Sequence, residues 1–166
     1  LKKLTTNRQK KKIEEYIVKA SLRSERERTS EVKQVTGEFT GAYAIHPFTK
    51  KKIPIWTGDY VLSSYGSGAI MSVPCGDQRD WLFATKFKIT IINIFKDKNL
   101  SKGAYTNKDA ILNNSVFLNG LTTKKAEQVA IKELAKNNYA EPKTQYKLRD
   151  AVFSRQRYWG EPFPVY

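Results

Sequence analysis

The sequence predicts an α/β domain: a curled, barrel-like sheet of mixed short strands with three or four helices at its periphery. Two observations carry that prediction. Between residues 38 and 73, short apolar runs alternate with clusters of turn-forming residues, as short strands do. On either side, apolar residues recur at three- and four-residue spacing against charged faces, as in amphipathic helices. Such helices bury one stripe each against a sheet, which gives a layered domain.

In chain order, residues 5–22 open on Thr5, Thr6 and Asn7 as a helix cap. They place Ile13, Tyr16, Ile17 and Ala20 on one face, opposite a basic one. Residues 24–34 read as a second, strongly charged helix, with Ser24 and Glu27 as a capping box and Gly37 as its stop. Strands are expected at 39–45, 53–56, 60–62 and 69–73, separated by His-Pro, Thr-Lys-Lys-Lys, Gly-Asp and Ser-Ser-Tyr-Gly. A helix at 77–87 carries Trp81, Phe83, Ala84 and Phe87 on its apolar side. A strand at 89–95 follows, then a polar loop at 96–103 and a short link at 115–120. A helix at 122–138 holds Ala126, Val129, Ala130 and Leu134 in register, before a late strand at 144–148.

Composition bounds the function. The 166 residues are 40% hydrophobic and include three Trp, enough to fold around a buried core. Thirty Lys and Arg against 16 Asp and Glu leave a net charge of +14. That surplus suits a polyanion such as nucleic acid, and serves general solubility equally well. One Cys excludes an internal disulfide framework and fits a reducing compartment. The longest apolar stretch, residues 89–95, is interrupted by Thr90 and Asn93 and is too short to span a bilayer, so no membrane partner is expected. No signal-peptide pattern opens the chain. It has no initiating Met and stops within an extended-looking run, so it reads as a piece of a longer protein. His46, before Pro47, reads as a turn residue, and Cys75 has no companion for nucleophilic or metal chemistry. No metal site, P-loop or dinucleotide fingerprint is found.

The stretch 65–84, Y-G-S-G-A-I-M-S-V-P-C-G-D-Q-R-D-W-L-F-A, is the most informative. Gly66 and Gly68 allow positive φ and close approach of a ligand to the backbone. An apolar run follows, then a Pro-Cys-Gly break, then a helix start. Asp77 sits where an N-cap belongs, and Asp80 falls one turn later on the same corner. Spacing alone leaves two readings open: a capping pair, or two carboxylates at a site.

This stretch is similar to G-T-G-A-V-M-A-V-P-A-H-D-x-R-D-x-x-F-A, the pattern of the editing domain of leucyl-tRNA synthetases. Residues 40–62 (T-G-A-Y-A-I-H-P-F-T-K-K-K-I-P-I-W-T-G-D-Y-V-L) and 117–121 (F-L-N-G-L) also match that family. Residues 148–164 resemble the place where the inserted domain rejoins the catalytic core. The resemblance covers nearly the whole chain in order. It implies a β-barrel decorated with helices, divided into a helical lead-in (1–36), a β core with inserted helices (37–148) and a return segment towards the class I core (149–166).

The implied reaction is hydrolysis of the ester between a wrong amino acid and the terminal adenosine of tRNA. This second sieve is needed because one methylene supplies only about 1–3 kcal/mol of discrimination. By resemblance, Asp80 grips the substrate α-ammonium, and Arg79 and Asp77 orient substrate or water. Met71 and Val73 line the amino-acid pocket, Tyr65 walls it near the ester, and Gly66 and Gly68 border it. Arg155 and Arg157 are candidate tRNA contacts. The implied partners are the 3′ end of leucine tRNA and the rest of the synthetase, in the cytoplasm, with this chain monomeric. No cofactor is implied for this chain. ATP and Mg²⁺ serve the synthetic site of the full enzyme, whose H-I-G-H and K-M-S-K-S motifs are absent here.

Two departures stand out. Gly76 takes the place of the family's His, and the threonine-rich T-T-R-P-D-T-L-F-G that forms the opposite pocket wall is not among these residues. The isolated chain is therefore expected to be inactive. An isoleucyl or valyl editing domain fits less well, because Met71, Val73-Pro74 and Arg79-Asp80 match the leucyl pattern. A non-catalytic basic RNA-binding module, using Lys10 to Lys12, Lys50 to Lys52, Arg155 and Arg157 to hold phosphates, is the alternative from another class.

Overall fold

The computed structural model describes residues 1–22, 35–61 and 68–144. A 3₁₀ turn at Lys2–Leu4 leads into helix α1 (Lys10–Ser21). Strands β1 (Gly37–Ile45) and β2 (Lys52–Gly58) follow, then helix α2 (Gln78–Lys86), a 3₁₀ turn at Val116–Leu118 and helix α3 (Thr123–Lys136). No described helix is long and apolar enough to cross a membrane.

Strands β1 and β2 form an antiparallel pair with Gly37 opposite Gly58, Phe39 opposite Trp56 and Ile45 opposite Lys52. The register slips midway: residues 40–42 stand against Ile55 alone, a bulge that bends the ribbon. Thr40, fully buried, fills it, its hydroxyl donating to the Ile55 carbonyl at 2.7 Å and accepting from Ala42 N at 3.2 Å. Gly41 adopts φ +82°, and a Cβ there would run into the Thr6 side chain. The amino-terminal segment thus closes over the bulge, with Thr6 N donating to Thr40 O at 3.0 Å. At the hairpin tip, His46 is a turn residue: its Nδ1 accepts from Phe48 N and Thr49 N, both at 3.2 Å.

Aromatic rings weld α2 onto the hairpin. Trp56 lies 5.4 Å from Phe39, 5.7 Å from Phe83 and 4.9 Å from Phe87, and Tyr60 lies 5.6 Å from Phe83. Burial of such rings dominates the energetics of a small core. A second cluster comprises Cys75, Phe95, Ala110, Leu112 and Ala126, with Ile91, Ile94, Leu100, Tyr105, Leu118 and Leu121 packed against it. Burial pushes the Cys75 thiol above its ordinary range.

The α/β character holds, with three α-helices and a two-stranded sheet among the described residues. Several expectations are corrected. The helix cap is not Thr5-Thr6-Asn7: α1 begins three residues later, after Gln9, because Thr6 is taken up by Thr40. Residues 60 and 61 form a turn, Val61 N donating to Gly58 O at 3.2 Å. Residues 69–73 are irregular and exposed, not a core strand. Their ladder groups are used otherwise: Val73 N donates to Asp80, and Val73 O accepts from Gly76 N and Asp77 N. Residues 89–95 are irregular up to a single bridge, Phe95 with Leu112, because the Asn93 side chain takes Phe95 N and Lys98 O. The expected helix at 24–34 and nearly all of the strand at 144–148 lie outside the described residues.

Candidate functional site

The site is assembled at the start of α2. The turn at Pro74 to Gly76 delivers Asp77 in an extended conformation (φ −124°, ψ 127°), and its carboxylate accepts from Arg79 N at 2.8 Å and Asp80 N at 3.1 Å. Asp77 is therefore the N-cap of α2, an arrangement worth about 0.5–2 kcal/mol over alanine. The box is one-sided: Asp80 does not return to Asp77 N, which donates instead to Val73 O at 2.9 Å.

Asp80 points inward. It is 5% exposed, among the few buried charged groups described. Its Oδ1 accepts from the Tyr60 hydroxyl at 2.8 Å and its Oδ2 from Val73 N at 2.7 Å. Three pieces of chain thus meet at one carboxylate: the turn after β2, the segment before Pro74, and α2. Among the described residues no cation pairs with it. Buried carboxylates are ordinarily paired, and each of its oxygens retains acceptor capacity for a cation from outside. Burial and the Asp80 carboxylate raise the Tyr60 phenol well above the usual tyrosine range, so it remains a donor.

The remaining expected residues fall out as follows. Met71 is 60% exposed and Val73 41%, so neither is core; both lie on the open segment that Asp80 anchors. Gly68, at the head of that segment, adopts φ +75°, the conformation for which glycine suits. Arg79 is exposed and its backbone belongs to the Asp77 cap; its other interactions leave it partnered. At the position of the family's His, a Cβ on Gly76 would stand 3.4 Å from the Phe95 ring and 3.6 Å from Val73 Cγ1, ordinary van der Waals contacts that leave room for a Cβ there. Tyr65, Gly66, Arg155 and Arg157 lie outside the described residues.

Tyr60 was not singled out from sequence as a site residue, because it read as part of a strand. Its Gly-Asp-Tyr turn setting is the one local signal that its ring leaves the sheet. A shallow cleft of about 280 Å³ lies elsewhere, lined by Pro47, Phe48, Lys50, Phe117, Glu133 and Tyr139 among others, and none of the expected editing-site residues borders it.

The family described as "Leucyl-tRNA synthetase, editing domain" matches residues 1–135. Among relatives, the leucine–tRNA ligase of Flavobacterium psychrophilum is 57% identical over 172 residues, covering 100% of this chain and 18% of the ligase. That of Christiangramia forsetii is 56% identical, covering 100% and 17%, and that of Amoebophilus asiaticus 50% identical, covering 99% and 18%. The chain thus spans about 18% of the length of the relatives it matches. Matched over most of its length by the family pattern and over at least 99% of it by these ligases, the chain belongs to the leucyl-tRNA synthetase family, as its editing domain.

Proposed function

We propose that the chain performs the hydrolytic proofreading step of a leucine–tRNA ligase. It removes a wrong amino acid from leucine-specific tRNA by cleaving the ester to the terminal adenosine. The observation that carries this reading is Asp80: a buried carboxylate held by two neutral donors, with no cation opposite it among the described residues. An α-ammonium is the cation such an anchor suits, and a charge-assisted bond is stronger than a neutral one.

With the ammonium held, the ester carbonyl lies over the open segment carrying Gly68, Met71 and Val73, and Tyr65 and Gly66 take part in binding the substrate. Water adds to the carbonyl carbon, the bond to the ribose oxygen breaks, and the ribose oxygen leaves with a proton. Such an ester is already activated, so positioning supplies most of the acceleration. Asp77 fixes the start of α2 and with it the direction of Asp80, while Arg79 orients substrate or water. Arg155 and Arg157 contact tRNA near the junction with the synthetic core, where ATP and Mg²⁺ are used. On the same reading, the hairpin is one side of a barrel closed in the whole domain, and the enzyme works in the cytoplasm. The threonine-rich wall comes from elsewhere in the ligase, and the 166-residue chain alone has negligible activity.

The test replaces Asp80 with Asn in a full-length ligase carrying this chain and follows release of isoleucine from mischarged leucine tRNA. Deacylation is expected to fall on the order of a hundredfold, since misplacing the ester is enough for that. Leucylation should be unchanged. Undiminished deacylation would overturn the assignment.

A further inference from the structure

We propose that Tyr60 is a positioning residue for this reaction: with the Val73 backbone N–H it locks the Asp80 carboxylate at both oxygens, so that the substrate ammonium meets an anchor already oriented. The inference deepens the editing reading and rests on it.

The torsion that turns a carboxylate about its last bond is soft, so a lone Asp presents its oxygens over a wide arc. Here two donors from different parts of the chain restrain it, Tyr60 Oη on Oδ1 at 2.8 Å and Val73 N on Oδ2 at 2.7 Å. Each oxygen has a second lone pair. One donor apiece therefore fixes the plane and still leaves room for a cation. Both donors are neutral, so the carboxylate keeps its attraction for an incoming charge.

Tyr60 is itself held. Its ring packs at 5.6 Å against Phe83, and a Cβ on Gly58 would stand 3.0 Å from its Cε1, so the turn after β2 fits the ring closely. The hydroxyl is thereby referenced to the hairpin, and the Asp80 main chain to α2. Among the described residues, only Tyr60 joins the turn that follows β2 to the anchoring carboxylate by a hydrogen bond. An anchor oriented before the substrate arrives lowers the cost of ordering it on binding.

The experiment uses a full-length ligase carrying this chain with Tyr60→Phe, which keeps the ring and removes the hydroxyl. Two substrates are compared: mischarged isoleucyl-tRNA, and the same tRNA esterified with the corresponding α-hydroxy acid, which has no ammonium. Loss of a hydrogen bond to a charged group should lower the amino-ester rate on the order of tenfold. The hydroxy-ester rate should stay unchanged, so preference for the amino ester falls by the same factor. If Tyr60 were only structural, both rates would fall together and the preference would persist, which overturns the proposal. An unaffected amino-ester rate overturns it as well. Asp80→Asn, measured in parallel, separates the two levels. If that variant keeps the preference, the anchor reading itself is wrong. If it loses the preference while Tyr60→Phe keeps it, only the role given to Tyr60 is wrong. In the Asp80→Asn background, Tyr60→Phe should add nothing, because the two act through one interaction.

Discussion

Around Trp56 the chain packs ring against ring on a hairpin; around Phe95 it packs aliphatic groups between turns. In the first region, β1, β2 and α2 are regular apart from the bulge at residues 40–42, and Phe39, Trp56, Phe83 and Phe87 meet at 4.6–5.7 Å. In the second, isolated bridges join Phe95 to Leu112 and Ile111 to Thr122. Asn side chains do what ladders do elsewhere: Asn93 holds Phe95 N and Lys98 O, Asn99 holds Ser101 N, Asn114 holds Asn93 O, and Asn119 holds Ser115 N. The difference teaches where each region is vulnerable. The hairpin region depends on volume, since its backbone bonds are made within regular elements. The Phe95 region depends on particular side-chain amides, each satisfying backbone groups that no strand would reach. Asp80 stands at the edge of the first region and borrows Val73 from the irregular segment beside it.

The sharpest way to break the contrast is Phe83→Ala. Phe83 is 6% exposed and touches Trp56, Phe87 and Tyr60. Its loss should cost about 3–5 kcal/mol, read as a lower urea midpoint. A cost no greater than that of a surface substitution would mean the rings do not carry this region. Next is Asn93→Ala, which removes no core volume but strands Phe95 N and Lys98 O. About 1–3 kcal/mol of destabilisation is expected. An unchanged denaturation midpoint would show that water replaces the amide and that the second region is not held as described. The smallest effect concerns pH. Tyr60 has its phenol raised in the fold by burial and by Asp80. The neutral phenol is therefore favoured by folding: its contribution is fully present below the ordinary tyrosine value of about 10, and fades as pH climbs through the raised value. Ultraviolet titration of the parent against Tyr60→Phe should show no difference in phenolate absorbance through the ordinary range. A full tyrosine's worth of difference there would mean the Tyr60–Asp80 bond is not formed.

The regular elements were legible from pattern. Short runs bounded by turn residues marked the strands at 39–45 and 53–56, and the apolar spacing of Trp81, Phe83, Ala84 and Phe87 marked α2. Asp77 as cap was legible too, from its place between a Pro-Cys-Gly turn and a helical run. The apolar runs at 69–73 and 89–95 misled. Their composition is that of strands, yet a strand exists only where a neighbour offers a ladder. Val73 and Phe95 found side chains instead. The exposure of Met71 at 60% is equally invisible in composition, since methionine in an apolar run usually means core.

Local chemistry was enough to place the strands β1 and β2, α2, its cap and the motif that carries family membership. Those depend on periodicity, turn residues and short spacings, all of which act within a few residues. Which of the two carboxylates lies inside, and what holds it, was decided only by tertiary structure. Asp77 and Asp80 differ by less than one helical turn, but only Asp80 lies where Tyr60 from the turn after β2 and Val73 from the open segment converge. Contacts between residues so far apart along the chain follow from packing, and no local rule encodes them.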